Sequence, residues 1–332
     1  MLQPHERRRA RARRLNVFIR QLPSGCEIWA PAKINLSLDI LHRRDDGFHE
    51  IETLITPVGI YDTLRFVPNA SGKVALTVQS TWTNSNDPPI PVDEKNLVVK
   101  AANLIRDFAI EQRIAPPDSN WAESGADIEL IKRIPHAAGL GGGSADAAAT
   151  LAAANNVWNL GLSIEKLSEL AATIGSDVPA FLSRSPMLCK GRGEQITAGP
   201  RLSRLDIVIV KPPVGLSTPE VYAECKPGGE PTDWSQPTGD AVGDCRFVAA
   251  RMSNGLQNPA EKKTAWIIRL GRVFGGLDVI AHQMSGSGSA YFAVCRHATH
   301  AVRVANRIKS LGLGEVFLTA NTPGYALPSS AW

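Results

Sequence analysis

No apolar run in the 332-residue chain approaches the roughly 18 residues that a membrane-crossing helix needs. Nothing therefore suggests a membrane protein. Cysteine is sparse: Cys26, Cys189, Cys225, Cys245 and Cys295 are scattered, without the paired spacing of a zinc site or a small disulfide scaffold. That usage fits a reducing compartment, and a cytoplasmic protein is expected. An excess of charge is missing as well. The formal net charge is +4, but six arginines fall within Arg7–Arg14, beside which the sole acid is Glu6. Without that segment 30 basic residues face 31 acidic ones, so no diffuse nucleic-acid-binding surface is indicated. The segment lacks the apolar core of a secretory signal. It is Arg-rich and acid-poor like a transit peptide, but contains no Ser, and residues 1–14 are read as a disordered basic tail.

Two common phosphate-binding signatures are also absent. No glycine cluster is followed by Lys-Ser/Thr, which a P-loop requires. Gly139-Leu-Gly-Gly-Gly-Ser144 places Ser where a dinucleotide fingerprint needs its third Gly, and long strand-rich segments precede it. What the chain does have is Pro135-His-Ala-Ala-Gly-Leu-Gly-Gly-Gly-Ser-Ala-Asp146, running into an alanine-rich segment that continues to Trp158. Alanine is the best helix former, and glycine lets backbone approach a ligand closely. A glycine loop opening into a helix N-terminus presents free N–H groups and the positive end of the helix dipole, a setting for phosphate.

Around this loop the sequence predicts an α+β chain of two domains, residues 15–185 and 186–332, since the length exceeds what one core usually serves. Ala32–Ile40 alternates as a half-buried strand, with Ile34, Leu36, Leu38 and Ile40 on one face and Lys33, Asn35, Ser37 and Asp39 on the other. Asp45-Asp-Gly47 signals a turn, and the segments 62–67 and 73–78 read as a hairpin. Asn96 is placed to cap a helix through Phe108, and Ser163 to cap another that ends at Gly175 in a left-handed conformation. Asp177 reads as the cap of a following helical turn. The stretch Lys226–Asp244, rich in Pro, Gly and polar residues, reads as a long exposed loop. A second close-approach loop, Gly286-Ser-Gly288, precedes the strand Ser289–Val294.

The string Pro135-x-x-x-Gly-Leu-Gly-Gly-Gly-Ser-Ala145 resembles the ATP loop of the galactokinase, homoserine kinase, mevalonate kinase and phosphomevalonate kinase (GHMP) superfamily. Pro31-Ala-Lys-Ile-Asn-Leu36 resembles that superfamily's first motif and Met284-Ser-Gly-Ser-Gly-Ser289 its third, in the expected order. Further segments, Arg44–Thr53, Asn96–Ala102, Gly175–Phe181 and Gly191–Glu194, are similar to the branch whose acceptor is a cytidine diphosphate-linked polyol. The resemblance implies a two-domain fold with its active site in the interdomain cleft. It also implies ATP and Mg²⁺ as cofactors, a small-molecule substrate, and a monomer or homodimer.

By the same resemblance Lys33 and Asp177 are the catalytic pair. Asn96, Leu97, Pro135, Gly139, Leu140, Gly141, Gly142, Gly143, Ser144 and Ala145 bind ATP, with Asn96 and Leu97 beside the adenine. Asn35, Phe48, His49, Thr218 and Tyr222 bind the acceptor, with Phe48 and Tyr222 sandwiching the base and His49 reading it. Ser144 or Asp146 is near the metal, whose ligands stay unassigned. A carboxylate is needed because an alcohol is a poor nucleophile at neutral pH, and a neighbouring lysine helps keep it ionised.

Overall fold

The computed structural model describes residues 19–81, 89–114, 123–183, 186–235 and 242–322. The basic tail at 1–14 lies outside them. Two antiparallel-dominated sheets organise the chain. The first is built on two long strands, β2 (Gly25–Arg43) and β3 (His49–Asn69), which pair along almost their whole length after the turn at residues 44–48. β1 (Ile19–Leu22) extends one side, while β5 (Gly125–Lys132) pairs with the C-terminal part of β3. The N-terminal part of β3 pairs with β6 (Met187–Gly191), which forms a hairpin with β7 (Gln195–Ala198).

The segments 62–67 and 73–78 do not form the predicted hairpin. β4 (Val74–Ser80) runs parallel to β5, which lies between it and β3. Local alternation reports strand character but not partner choice, and here a later strand wins the β3 edge.

Helix α1 (Leu97–Glu111) begins as expected, with the Asn96 side chain accepting from Val98 N. The alanine-rich helix α2 (Gly142–Val157) is buried from Ala145 through Asn155. It shows no polar stripe because it sits between α1 and the sheet, and small side chains permit that close approach. Ser163 caps α3 (Ile164–Ile174), but Gly175 is extended at φ −179° rather than left-handed.

The second sheet has the order β10 (Ala281–Met284), β11 (Tyr291–Cys295), β8 (Asp206–Lys211), β12 (Glu315–Ala320). Short helices α4 (Thr218–Ala223), α5 (Cys245–Ala249) and α6 (Gln257–Lys263), then α7 (Ala265–Gly275) and α8 (Ala298–Ser310), complete this half. The two-residue strand β9 (Ser253–Asn254) pairs with β2 and carries this half onto the first sheet.

Four apolar clusters are found among the described residues, and β2 contributes to the three largest; the fourth gathers Ile55, Ala180, Met187 and Cys189. Cys26, Ile28 and Ala30 pack with the N-terminal helices; Ala32, Ile34 and Leu36 pack against Ile207, Ile209 and Phe292 between the sheets; Leu38 and Ile40 pack with Val208, Val210 and Tyr291.

One detail of β2 departs from the sequence pattern. Asn35 pairs with Ile55 and Ser37 with Leu54, so Leu36 is an extra, bulged residue. Directly paired residues share a face, and a one-residue bulge exchanges faces beyond it. Lys33 and Asn35 therefore keep company with Thr53 and Leu38, whereas Ser37 and Asp39 turn to the opposite side. The continuous alternation from Ala32 to Ile40 does not reveal this break.

The stretch predicted as a long exposed loop is also different in its described part. Gly228 N and Gly229 N both donate to Ile40 O, Thr232 N donates to Asp39 Oδ2, and Trp234 is only 6% exposed. Its polar composition satisfies β2 groups instead of water.

Candidate active site

The three motifs, at residues 31–36, 135–145 and 284–289, converge through contacts to backbone. Lys33 N donates to Leu140 O at 2.9 Å, and Ala290 N donates to Ala138 O at 3.0 Å. Ser285 Oγ donates to Gly139 O at 3.0 Å. Gly139 and Gly141 both have positive φ, +72° and +70°, which suits residues without a Cβ. Gly141 occupies the N-cap position of α2, and no side chain caps that helix. Its first amide groups thus remain available to an anion, at the positive end of a 16-residue helix.

A cavity of about 340 Å³ opens over this terminus. Pro135, Gly139, Leu140, Gly141, Gly142, Gly143 and Ser144 line it, together with Leu97 from α1. Ala145 is buried beneath, and the side chain of Asn96 is used in capping α1 and in bonding to Pro91 O. Lys33, Asn35, Thr53 and Asp177 form its far wall.

Lys33 Nζ stands 3.8 Å from Asp177 Oδ2 and donates to Asn35 Oδ1 at 2.6 Å; Asn35 in turn donates to Thr53 Oγ1 at 2.9 Å. Burial lowers the pKa of Lys33, and the charge of Asp177 opposes it without restoring the ordinary value. Asp177 does not cap the short 3₁₀ turn Pro179–Leu182, whose N-cap is Val178 with no side-chain bond. The carboxylate, 40% exposed, faces the cavity with Lys33.

A second cavity of about 720 Å³ lies alongside, lined by Arg43, Phe48, His49, Ser176, Arg192, Thr218, Pro219 and Tyr222. Asp177, Ile51, Thr218 and Tyr222 belong to both cavities, so Asp177 stands on their common wall. The sequence reading brought Phe48, His49 and Tyr222 together, and all three do line this space. Their arrangement is not a vacant sandwich, however. The Tyr222 ring lies 5.2 Å from that of His49, tilted by 36°, and the Arg192 guanidinium sits 4.7 Å from the centroid of Phe48. Phe48 is otherwise open, 52% exposed. Burial and the neighbouring Arg43 lower the pKa of His49, which favours the neutral imidazole.

Several lining residues escaped sequence reading. Arg192 belongs to a quoted motif but received no role there; its position at the turn between β6 and β7, fixed by Glu194 Oε2 accepting from Arg192 N, depends on tertiary pairing. Lys132 lines the first cavity while its ammonium is held by Asp62 and Asp146. Burial works against the Lys132 charge, yet the two aspartates outweigh it and raise its pKa. Asp62 also accepts from Arg133 N and Ile134 N at 2.5 and 2.8 Å, anchoring the chain that enters the loop. Asp146 is turned toward Lys132, and burial raises its pKa.

An anion-binding helix terminus, a lysine–carboxylate pair beside it and a second cavity sharing that carboxylate define a small-molecule kinase site. The GHMP kinases N terminal domain family matches residues 96–185. A 4-diphosphocytidyl-2-C-methyl-D-erythritol kinase of Pelotomaculum thermopropionicum is 38% identical over 84% of this chain and 92% of its own length. One from Geobacillus sp. (strain WCH70) is 35% identical over 84% and 91%. The crystal structure of a 4-(cytidine 5'-diphospho)-2C-methyl-D-erythritol kinase superposes with a TM-score of 0.69 at 30% identity, covering 89% of this chain and 99% of that one. The fold is that of the two-domain GHMP kinases. Within them, the chain belongs to the 4-diphosphocytidyl-2-C-methyl-D-erythritol kinase family.

Proposed function

We propose that this protein transfers the γ-phosphate of ATP to the 2-hydroxyl of 4-diphosphocytidyl-2-C-methyl-D-erythritol, a step of the non-mevalonate route to isoprenoid precursors. The observation that carries the reading is Asp177, with Lys33 at 3.8 Å, on the wall shared by the two cavities. The α2 terminus and Gly139–Ser144 hold the phosphates, with Leu97 bordering the adenine. Asn35 and Thr218 hold the erythritol, and His49 with Phe48 and Tyr222 receives the cytosine. Arg43 and Arg192 supply positive charge to the diphosphate between them. In this reading residues 15–185 form the nucleotide half and 186–332 the other, tied together by the β6–β7 hairpin.

Asp177 accepts the proton of the 2-hydroxyl as its oxygen bonds to the γ-phosphorus and the bond to the β–γ bridging oxygen breaks, releasing ADP. Lys33 orients that hydroxyl and stabilises charge on the transferring group. Among the described residues no group of three or more His, Cys, Asp or Glu could hold a metal ion. Magnesium commonly binds through one or two carboxylates plus substrate phosphates. The Ser144 hydroxyl on the cavity wall would hold it beside ATP, with Asp146, whose Oδ1 has no hydrogen-bond partner among the described residues, behind it. When bound it neutralises charge on the β- and γ-phosphate oxygens.

The decisive assay is ADP release with a panel of acceptors: the diphosphocytidyl methylerythritol, homoserine, mevalonate and galactose. Turnover with the first alone is the expected result; turnover with another in its place overturns the reading. Phe48→Ala is expected to raise the KM of the cytidine acceptor about tenfold, since stacking on an aromatic contributes about 1–3 kcal/mol per base. The KM of ATP should stay within about twofold, and equal loss for both ligands would place the base elsewhere. The lowered Lys33 pKa also has a kinetic sign. The ammonium is lost as pH rises through its depressed pKa, so kcat should fall on the alkaline side below the 10.5 of an ordinary lysine. A profile flat through that value would remove Lys33 from the charged machinery.

A further inference from the structure

The bulge at Leu36 determines which face of β2 carries Lys33 and Asn35, and it is held from two directions. On its near side, the Gln283 Nε2 amide lies 3.0 Å from Asn35 O and 3.2 Å from Leu36 O, the carbonyls at the register shift between β2 and β3. The same nitrogen is 3.3 Å from Ser253 O on β9. Gln283 is 5% exposed and lies on β10, immediately before the third glycine motif.

On the far side, Trp234 Nε1 donates to Ser37 Oγ at 2.8 Å, and the same oxygen accepts from Leu54 N at 3.2 Å. Trp234 packs into the core between the sheets, edge-on to Phe247 at 6.0 Å. Its segment is pinned by the bonds from Gly228, Gly229 and Thr232 to β2 and by Arg251 Nε donating to Asp233 O. Sequence neighbours cannot supply either contact, since Trp234 and Gln283 lie 197 and 248 positions from Ser37 and Asn35.

We infer that Gln283 and Trp234 are positioning residues of the phosphoryl transfer, acting through the bulge on the aim of Lys33 and Asn35. The inference rests on the catalytic reading above. Asn35 carries the effect onward, because its Oδ1 accepts from Lys33 Nζ and its Nδ2 donates to Thr53 Oγ1. Thr53 Oγ1 donates in turn to Ser37 O, closing the loop of contacts around the bulge. Removing either clamp should loosen the acceptor side of the site while leaving the helix terminus that receives ATP untouched.

Two variants test this with whichever acceptor supports ADP release by the unaltered protein, so that failure of the functional reading shows in that protein alone. Trp234→Phe keeps an aromatic body and removes the N–H donor; Gln283→Met keeps length and removes the amide. A neutral hydrogen bond contributes about 0.5–1.5 kcal/mol. Trp234→Phe should therefore lower kcat/KM for the acceptor about fivefold. Gln283→Met withdraws a donor shared by two carbonyls and should lower it about tenfold or more. In both, the KM of ATP should stay within about twofold. The same substitutions made in an Asn35→Ala background should each add less than about twofold, because the element they aim is gone.

Undiminished acceptor kcat/KM, equal losses toward ATP and acceptor, or full multiplicative losses in the Asn35→Ala background would each overturn the inference. Thermal melts identify folded variants, and should Gln283→Met fail to fold, Trp234→Phe decides alone.

Discussion

Asp177→Asn is expected to lower kcat by about a thousandfold, within the roughly 10²–10⁴ that a positioned general base contributes. Asparagine is nearly the same shape, so the wall between the cavities should survive. What is lost is the only carboxylate lining either cavity among the described residues. In the proposed reading ATP meets chiefly the glycine loop and α2, so its KM should change by less than about threefold. Burial already lowers the Lys33 pKa, and removing the Asp177 charge removes an influence that raises it. The residual activity should therefore also fall off at lower pH than in the unaltered protein. Steady-state ADP release against pH checks both parts. Turnover within about tenfold of normal would exclude Asp177 as the base and leave positioning as the source of catalysis.

Gly139→Ala should be the most disruptive single methyl in the molecule's phosphate loop. Its φ of +72° disfavours any L side chain, by about 1–2 kcal/mol. The added Cβ would stand 2.0 Å from Ser285 O and 3.0 Å from Gly288 N, both backbone atoms of the third motif. Neither can rotate away as a flexible side chain would. The expected outcome is a Tm lower by about 5 °C or more together with an ATP KM raised about a hundredfold. Thermal melting measures the first, and the rate of ADP release against ATP concentration the second. Gly143→Ala is the matched control for adding a methyl nearby, since its Cβ would meet only Leu97 Cδ1 at 3.7 Å. Equal behaviour of the two variants would show that loop and third motif do not depend on their close approach.

Much of this site was readable because its parts are local. Glycines bracketing a phosphate loop, an Asn cap at residue 96 and an alanine helix announce themselves over a few residues. Lys33 and Asp177 could be matched to roles by resemblance, although nothing in the spacing of 144 positions brings them within 3.8 Å.

What escaped the sequence was set by distant partners. The face reversal at Leu36 leaves the alternating pattern intact, because Ser37 and Asp39 are polar on either side; their acceptors are taken by Trp234, Thr232 and Ser253. The same contacts turned a segment that looks like exposed loop into a strap. The hairpin expected at 62–78 failed because β5, not β4, takes the β3 edge. Asp177 looked like a helix cap because Asp followed by a Pro-containing turn usually is one. Only the coordinates show that Val178 occupies that place. Arg192 had no legible role because its ring partner, Phe48, is brought near by the pairing of β6 with β3.

β2 threads the three largest apolar clusters in turn. A backbone that serves as a common spine resists swinging one half against the other, since that would bend a strand paired with β3 over most of its length. Any adjustment on ligand binding is therefore expected at the rim, in the short turns at residues 44–48 and 192–194. Amide exchange slowed by substrate at these turns and unchanged along β2 is the expected result, with Phe48 and Arg192 on the turns that respond.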